Sequence, residues 1–168
     1  MPTKVLRKQA NSKMCLVCGL KNPGGMHAAF YEIETGECVA LFTARDDHQS
    51  YPGRVHGGMI TAMLDETVGR AIMSRTEDFW AVTLEFTTRY KKPVPIGVEL
   101  KVVGRVTGEE GRVFTGTGEI LLPSGEVAAI GEGKYLKLAL NKIADFDAEA
   151  QEWGVVPLPT DPETIALP

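Results

Sequence analysis

The sequence predicts an α+β fold in which an antiparallel sheet of about six strands wraps one long central helix. Three observations lead there. Residues 57–74 carry the one long helical signal of the body, four strand-like runs follow it, and two more strand-like runs precede it. Strands joined by short turns pair antiparallel. A single helix laid on such a meander gives an α+β arrangement.

Each element has its own local cause. Residues 1–26 read as an irregular N-terminal segment, with turn-rich stretches at Cys15-Leu-Val-Cys-Gly19 and Asn22-Pro-Gly-Gly25. Two strands are expected at about 27–34 and 37–44, joined by a hairpin at Thr35-Gly36. Pro52-Gly53 punctuates a loop over 45–56. In the helix, Ile60, Met63, Leu64, Thr67, Val68 and Ala71 recur at three- and four-residue steps and form a broad apolar face. The next strand, about 79–90, alternates Trp80, Val82, Leu84 and Phe86 against Thr83, Glu85 and Thr87. Strands at about 96–107 and 112–122 meet at Gly108–Gly111, and a last one at about 126–140 follows Pro123-Ser-Gly125. Glycines 104, 116, 118, 131 and 133 within these strands are expected where a sheet bends or another backbone comes close. Beyond residue 140, Ile143, Phe146, Ala150 and Trp153 suggest a short peripheral helix before a Pro-rich extended end. The organisation expected is therefore a domain over 27–140, an irregular segment over 1–26 and an acidic tail over 141–168.

Composition narrows the function classes. The 168 residues are 43% hydrophobic and 24% charged with net charge −4, as in an ordinary globular domain. Six acids against the single base Lys142 concentrate the negative charge in the tail, so the body is near neutral. No basic stripe fits a nucleic acid. No apolar run reaches the ~18–20 residues of a membrane span. Met1–Met14 has four bases but no apolar core of a secretory signal, and three cysteines is an odd number. Reduced thiols and a cytoplasmic location are the expectation.

Asp65 falls about 140° around the helix from Ile60, at the edge of the apolar face among Thr61, Gly58, Gly69 and Ile72. Small neighbours admit another element or a ligand, although a solvated helix aspartate has the same pattern. His56-Gly57-Gly58 stands where the loop meets the helix, and the first amides of a helix suit an oxyanion. Gly57 and Asp65 are eight residues apart, ~12 Å along a helix axis. A reacting carbonyl must lie ~3 Å from both its polarising donor and its base. If the two share a site, Asp65 must come from a neighbouring subunit, and a two-fold dimer makes two equal sites.

Val55-His-Gly-Gly-Met-Ile-Thr-Ala-Met-Leu-Asp65-Glu resembles the HGG…D signature of PaaI-type hotdog thioesterases, with Asp65 nine residues after the histidine. Phe86-Thr-Thr-Arg-Tyr90-Lys-Lys-Pro93-Val-Pro-Ile-Gly97 is similar to their strand ending in aromatic-x-x-Pro…Gly. The resemblance covers the body and omits both ends. It implies an acyl-CoA thioesterase in which the Gly57 amide polarises the thioester carbonyl. Asp65 of the partner subunit acts as nucleophile or general base. His56 would shape the loop or contact the thioester, and Thr83 would orient the water. Gly58, and more loosely Gln49 and Ser50, would touch substrate. Arg89, Lys91 and Lys92 at a strand end could meet the phosphates of coenzyme A or be solvated. Coenzyme A enters as part of the substrate and no separate cofactor is implied. The homo-oligomer would be a dimer at least, extending to a tetramer.

Cys15-x-x-Cys18 has no second CxxC to complete four zinc ligands, and His27, Cys38 and His48 are the remaining candidates nearby, so a structural role is preferred to a metal. Two rivals to the thioesterase are a hotdog acyl-thioester (de)hydratase using His56, and a non-catalytic acyl-CoA-binding protein that keeps the same segment.

Overall fold

A computed structural model of the chain describes residues 1–76 and 78–168. It contains strands β1 (Pro2–Lys8), β2 (Ala29–Ile33) and β3 (Cys38–Thr43), then helix α1 (Gly57–Arg70). Strands β4 (Trp80–Tyr90), β5 (Glu99–Glu110), β6 (Val113–Leu121), β7 (Val127–Leu138) and β8 (Thr164–Ala166) follow. All eight lie in one sheet in the order β4-β7-β6-β5-β3-β2-β1-β8, and every neighbouring pair is antiparallel.

The helix sits on the concave face. Its buried Ile60, Met63 and Leu64 pack with Phe42, Leu100, Val102, Ile120 and Ala129, and Val68 packs with Ile72, Phe114 and Tyr135. Glycine lets the two layers close. A Cβ on Gly104 would stand 2.5 Å from the Thr67 carbonyl oxygen, and one on Gly116 would stand 2.5 Å from a Val68 methyl. Of the two reasons for strand glycines, close approach is the one realised here. After Arg70 the helix tightens into a 3₁₀ turn over Ala71–Ser74. Among the described residues, no helix is long and apolar enough to cross a membrane.

The two ends of the chain depart from expectation. Residues 2–8 form β1, paired with β2 on one side and β8 on the other, so the sheet has eight strands rather than about six. Local sequence carried little sign of this, because β1 is half charged and its partner lies some 160 residues away. Ile165 of β8 is buried beside Tyr31, Ile33 and Leu121, which anchors a tail end expected to be merely extended. Residues 143–153 form no α-helix. A 3₁₀ turn at Leu140–Lys142 leads into turns. Asp147 Oδ1 accepts from the Glu149 and Ala150 amides as an N-cap does, but Glu152 in the left-handed region (φ 49°) stops the chain after a single turn. The apolar residues seen there instead pack as rings: Trp153 lies 4.6 Å from Trp80 and Phe146 6.3 Å from both, centroid to centroid.

β4 also turns differently from simple alternation. A bulge between Thr83 and Glu85 inverts the pattern beyond it. Ala81 and Thr83 before the bulge, and Phe86, Thr88 and Tyr90 after it, all face α1. Leu84, assigned by periodicity to the same side as Phe86, is half exposed.

Candidate active site

The flank of α1 that carries Asp65 is stitched to β4 and β7 by hydroxyl groups. The Thr83 hydroxyl lies 2.9 Å from Asp65 Oδ1 and 3.1 Å from Oδ2. The Tyr135 hydroxyl, from β7, lies 3.1 Å from Oδ1 and from the Asp65 carbonyl oxygen. Tyr135 reaches the carboxylate because it crosses over Gly69, where a Cβ would come 3.3 Å from its ring, and it stacks on Phe114 at 4.9 Å. The small residues beside Asp65 thus admit a tyrosine.

Burial is the main influence on Asp65 and pushes its carboxyl above the ordinary carboxylate range. The hydroxyls of Thr83 and Tyr135 pull the other way, and the neighbouring Glu66 charge pushes further up. Tyr135 is itself driven well above the usual phenol value, by burial first and then by the Asp65 charge, so it remains a donor. The result is a carboxylate with raised proton affinity whose orientation is fixed by two hydroxyls.

That carboxylate lines a cavity of about 500 Å³, walled by Met73, Trp80, Phe146 and Trp153 on one side and by Cys15, Cys18, Glu66 and Arg70 on another. Arg70 is almost fully buried. Its Nε and Nη2 donate to Glu66 Oε1, its Nη1 donates to the Ala10 carbonyl, and its guanidinium lies 4.1 Å from the Phe30 ring centre. A hydrogen bond from Cys18 holds the Cys15 thiol at about 7, while the same bond and burial push Cys18 up.

Gly57 opens onto a different groove, about 590 Å³, shared with Ser50, Tyr51, Tyr90, Lys91 and Lys92. His56 is the N-cap of α1, its extended backbone (φ −61°, ψ 137°) placing Nδ1 2.9 Å from the Gly58 amide. Gly58 therefore uses its N–H in the cap, and the Gly57 amide ahead of it lies outside that bond. The Tyr90 hydroxyl is 2.9 Å from the Gly57 carbonyl oxygen and 2.8 Å from Thr61 Oγ1. The loop before the cap is pinned by the buried His48, whose ring nitrogens meet the Arg45 amide and the Gly24 carbonyl.

The structure groups the sequence-derived candidates into two places. Asp65 and Thr83 meet, while Gly57, Ser50, Lys91 and Lys92 gather at the other end of α1. Gln49 is exposed, and its Oε1 accepts a long bond from the Gly53 amide within its own turn. Arg89 leans on Glu132 at 3.8 Å and Lys92 pairs with Glu126, which leaves Lys91 the one of the three without a carboxylate partner among the described residues. Tyr135 and Glu66 were not singled out from sequence. Tyr135 sits 70 residues from Asp65 in a strand rich in glycine, and its only trace is the i, i+2, i+4 spacing of Gly131, Gly133 and Tyr135 on one face.

Known proteins resemble this chain in sequence and fold. Residues 52–129 match the family model of the thioesterase superfamily. A mouse protein named acyl-coenzyme A thioesterase THEM4 is 34% identical over 89 residues, which is 53% of this chain and 37% of that protein. The chain therefore spans well under half the length of that curated relative. Among solved structures, the thioesterase superfamily protein RHA08564 superposes with a TM-score of 0.67 at 27% identity, covering 73% of this chain and 59% of that one. The E. coli PaaI protein superposes with a TM-score of 0.61 at 18% identity, over 68% and 81% respectively, a likeness of fold.

Proposed function

We propose that this chain, which carries a hotdog domain of the thioesterase superfamily, hydrolyses acyl-CoA thioesters at sites shared between two copies. The observation that carries the reading is the division of one helix between two cavities. Asp65 faces one and Gly57 the other, so neither cavity alone holds both a base and an oxyanion donor.

In the dimer, the Gly57 amide of one copy polarises the thioester carbonyl and Asp65 of the other attacks it or takes a proton from water. The hydroxyls of Thr83 and Tyr135 keep the carboxylate aimed. The carbon–sulfur bond then breaks, and coenzyme A leaves as a thiolate; an ordinary thiol, with a pKa of ~8.5, needs no strong general acid to depart. The acyl group occupies the apolar side of the Asp65 cavity, against Trp80 and Trp153.

Two features support a dimer through β4. The strand is eleven residues long, and its outer edge has no strand partner among the described residues. It also exposes Leu84 (50%) and Tyr90 (56%), and an edge of that length normally finds a partner. The (de)hydratase reading is disfavoured by His56, whose Nδ1 is engaged in capping α1.

The test is thiol release from short, long and aromatic acyl-CoAs by wild type and Asp65→Asn. A fall in kcat of at least ~10²-fold is expected. Undiminished hydrolysis by the variant overturns the assignment of Asp65, and binding without turnover by wild type favours a non-catalytic acyl-CoA-binding protein.

A further inference from the structure

Folding brings the Cys15-x-x-Cys18 turn against α1 at the residue after Asp65. One ligand atom from each of Cys15, Cys18 and Glu66 lies within 4.8 Å of the others. We propose that these three residues bind a zinc-class divalent cation, which fastens the N-terminal segment to α1 in the wall of the Asp65 cavity.

The turn has the form of a metal-binding knuckle. The Gly19 amide donates to the Cys15 carbonyl at 2.8 Å, and the Val17 amide points at Cys15 Sγ at 3.4 Å. Only glycine fits at position 19, since a Cβ there would stand 2.4 Å from the Cys15 carbonyl oxygen. Both sulfurs are thereby turned to the same side, toward the helix.

Glu66 divides its two oxygens. Oε1 receives Arg70 Nε at 3.0 Å and Nη2 at 2.9 Å, while Oε2 stands 3.5 Å from Cys15 Sγ. A carboxylate whose second oxygen is held by a buried guanidinium is a ligand with its outer shell already in place. Zinc–sulfur bonds of ~2.3 Å and zinc–oxygen bonds of ~2.0–2.2 Å put ligand atoms of a tetrahedron about 3.5 Å apart, which is the spacing seen between Cys15 and Glu66. Ligand chemistry also chooses the ion, because thiolates select zinc-like metals over magnesium or calcium.

Charge is the second argument. Once the two thiol protons are displaced, two thiolates and a carboxylate against Arg70 sum to two negative charges, which a divalent cation balances in a half-buried pocket. His27, Cys38 and His48, the other candidates in the sequence, stand outside this cluster among the described residues, and the third ligand is a carboxylate carried by α1. All three residues line the cavity, so the fourth position is open to water, as three-ligand zinc sites allow. Binding transfers the two thiol protons to solvent.

The full-length reduced chain is titrated with zinc against a chromophoric chelator, and separately with cobalt. One equivalent per chain at submicromolar affinity is expected, with thiolate-to-cobalt charge-transfer absorption from the wild type. Cys15→Ser and Cys18→Ser should each weaken zinc ~100-fold, and Glu66→Gln ~10-fold. Cys38→Ala should change nothing, because Cys38 is buried in β3 with its thiol pushed up to about 12. Failure to retain zinc at micromolar free metal, a cobalt spectrum without thiolate bands, or equal weakening by Cys38→Ala overturns the site. The wild-type spectrum needs no substitution, so a variant that folds poorly does not blunt the test. Metal binding is read directly, and its failure leaves the thioesterase reading where the Asp65→Asn assay puts it.

Discussion

At its C-terminal half, α1 presents Asp65 to a cavity closed by rings, two cysteines and a buried arginine. At its N-terminus, the same helix presents Gly57 to an open groove rimmed by lysines and tyrosines. The first region is suited to holding a carboxylate partly out of water and receiving an apolar group. The second is suited to an anionic, solvated one, with helix-end amides and Lys91, which has no carboxylate partner among the described residues. A thioester of coenzyme A has both characters, an apolar acyl group and a charged nucleotide, with the scissile carbonyl between them. On the proposed reading, the contrast means that function depends on bringing opposite ends of two identical helices together.

The sharpest way to break this comparison is to disable the two ends separately and recombine them. Gly57→Pro removes the N–H at the first helical position, where proline is well accepted, and His56 before it is already extended. A loss of ~10²–10³ in kcat with unchanged circular dichroism is expected. Mixing Gly57→Pro with Asp65→Asn and allowing subunits to exchange should restore roughly a quarter of wild-type activity, since half the dimers would carry one intact site of two. No recovery on mixing would refute the shared site.

The next effect belongs to the Asp65 end alone. Tyr135→Phe removes a donor that favours the charged carboxylate, so the already raised pKa climbs further. Activity requires the ionised form, hence the acid limb of the pH–kcat profile should move to higher pH, with kcat down ~10-fold. An unmoved limb would mean that Tyr135 only packs.

Stability provides a smaller readout. Because the Asp65 pKa is raised in the folded chain, the native state binds more protons than the unfolded one between the ordinary value and the raised one. Its contribution is most favourable below the unfolded pKa and declines as pH rises through the folded one. At pH 7, Asp65→Asn should therefore melt at or a few degrees above wild type, with the advantage fading toward acid pH. A clearly lower Tm would contradict a functionally placed, energetically costly carboxylate. Smallest of all, Lys91→Ala at the other end should raise KM a few-fold at low salt and leave kcat alone, as befits an exposed charge.

Much of this was legible in the sequence where the signal is local. The spacing of apolar residues marks α1, Thr35-Gly36 marks a hairpin, and the eight-residue interval between Gly57 and Asp65 already sets the two apart along the helix, where they line different cavities. What escaped was non-local or hidden by an irregularity. The bulge at Thr83–Glu85 puts Phe86 on the helix side together with Thr83, so simple alternation divided residues that in fact share a face. Tyr135 and Glu66 acquire their roles from elements that meet only in the folded sheet. The ends of the chain join as β1 and β8 through pairing that no window of neighbouring residues can report.

That pairing bears on how the protein is made. β1 is synthesised about 160 residues before β8, and its outer edge stays open until residues 164–166 have been made. An open strand edge invites pairing with the wrong chain. Lys4 and Lys8 place like charges on that strand, which discourages two nascent copies from joining there, while Arg7 is paired with Glu32 of β2. When the tail arrives, Asp161 meets Lys8 at 2.6 Å, and the repulsive edge becomes an attractive one. The acidic segment after residue 140 thus relieves a guard that β1 carries until that segment is made.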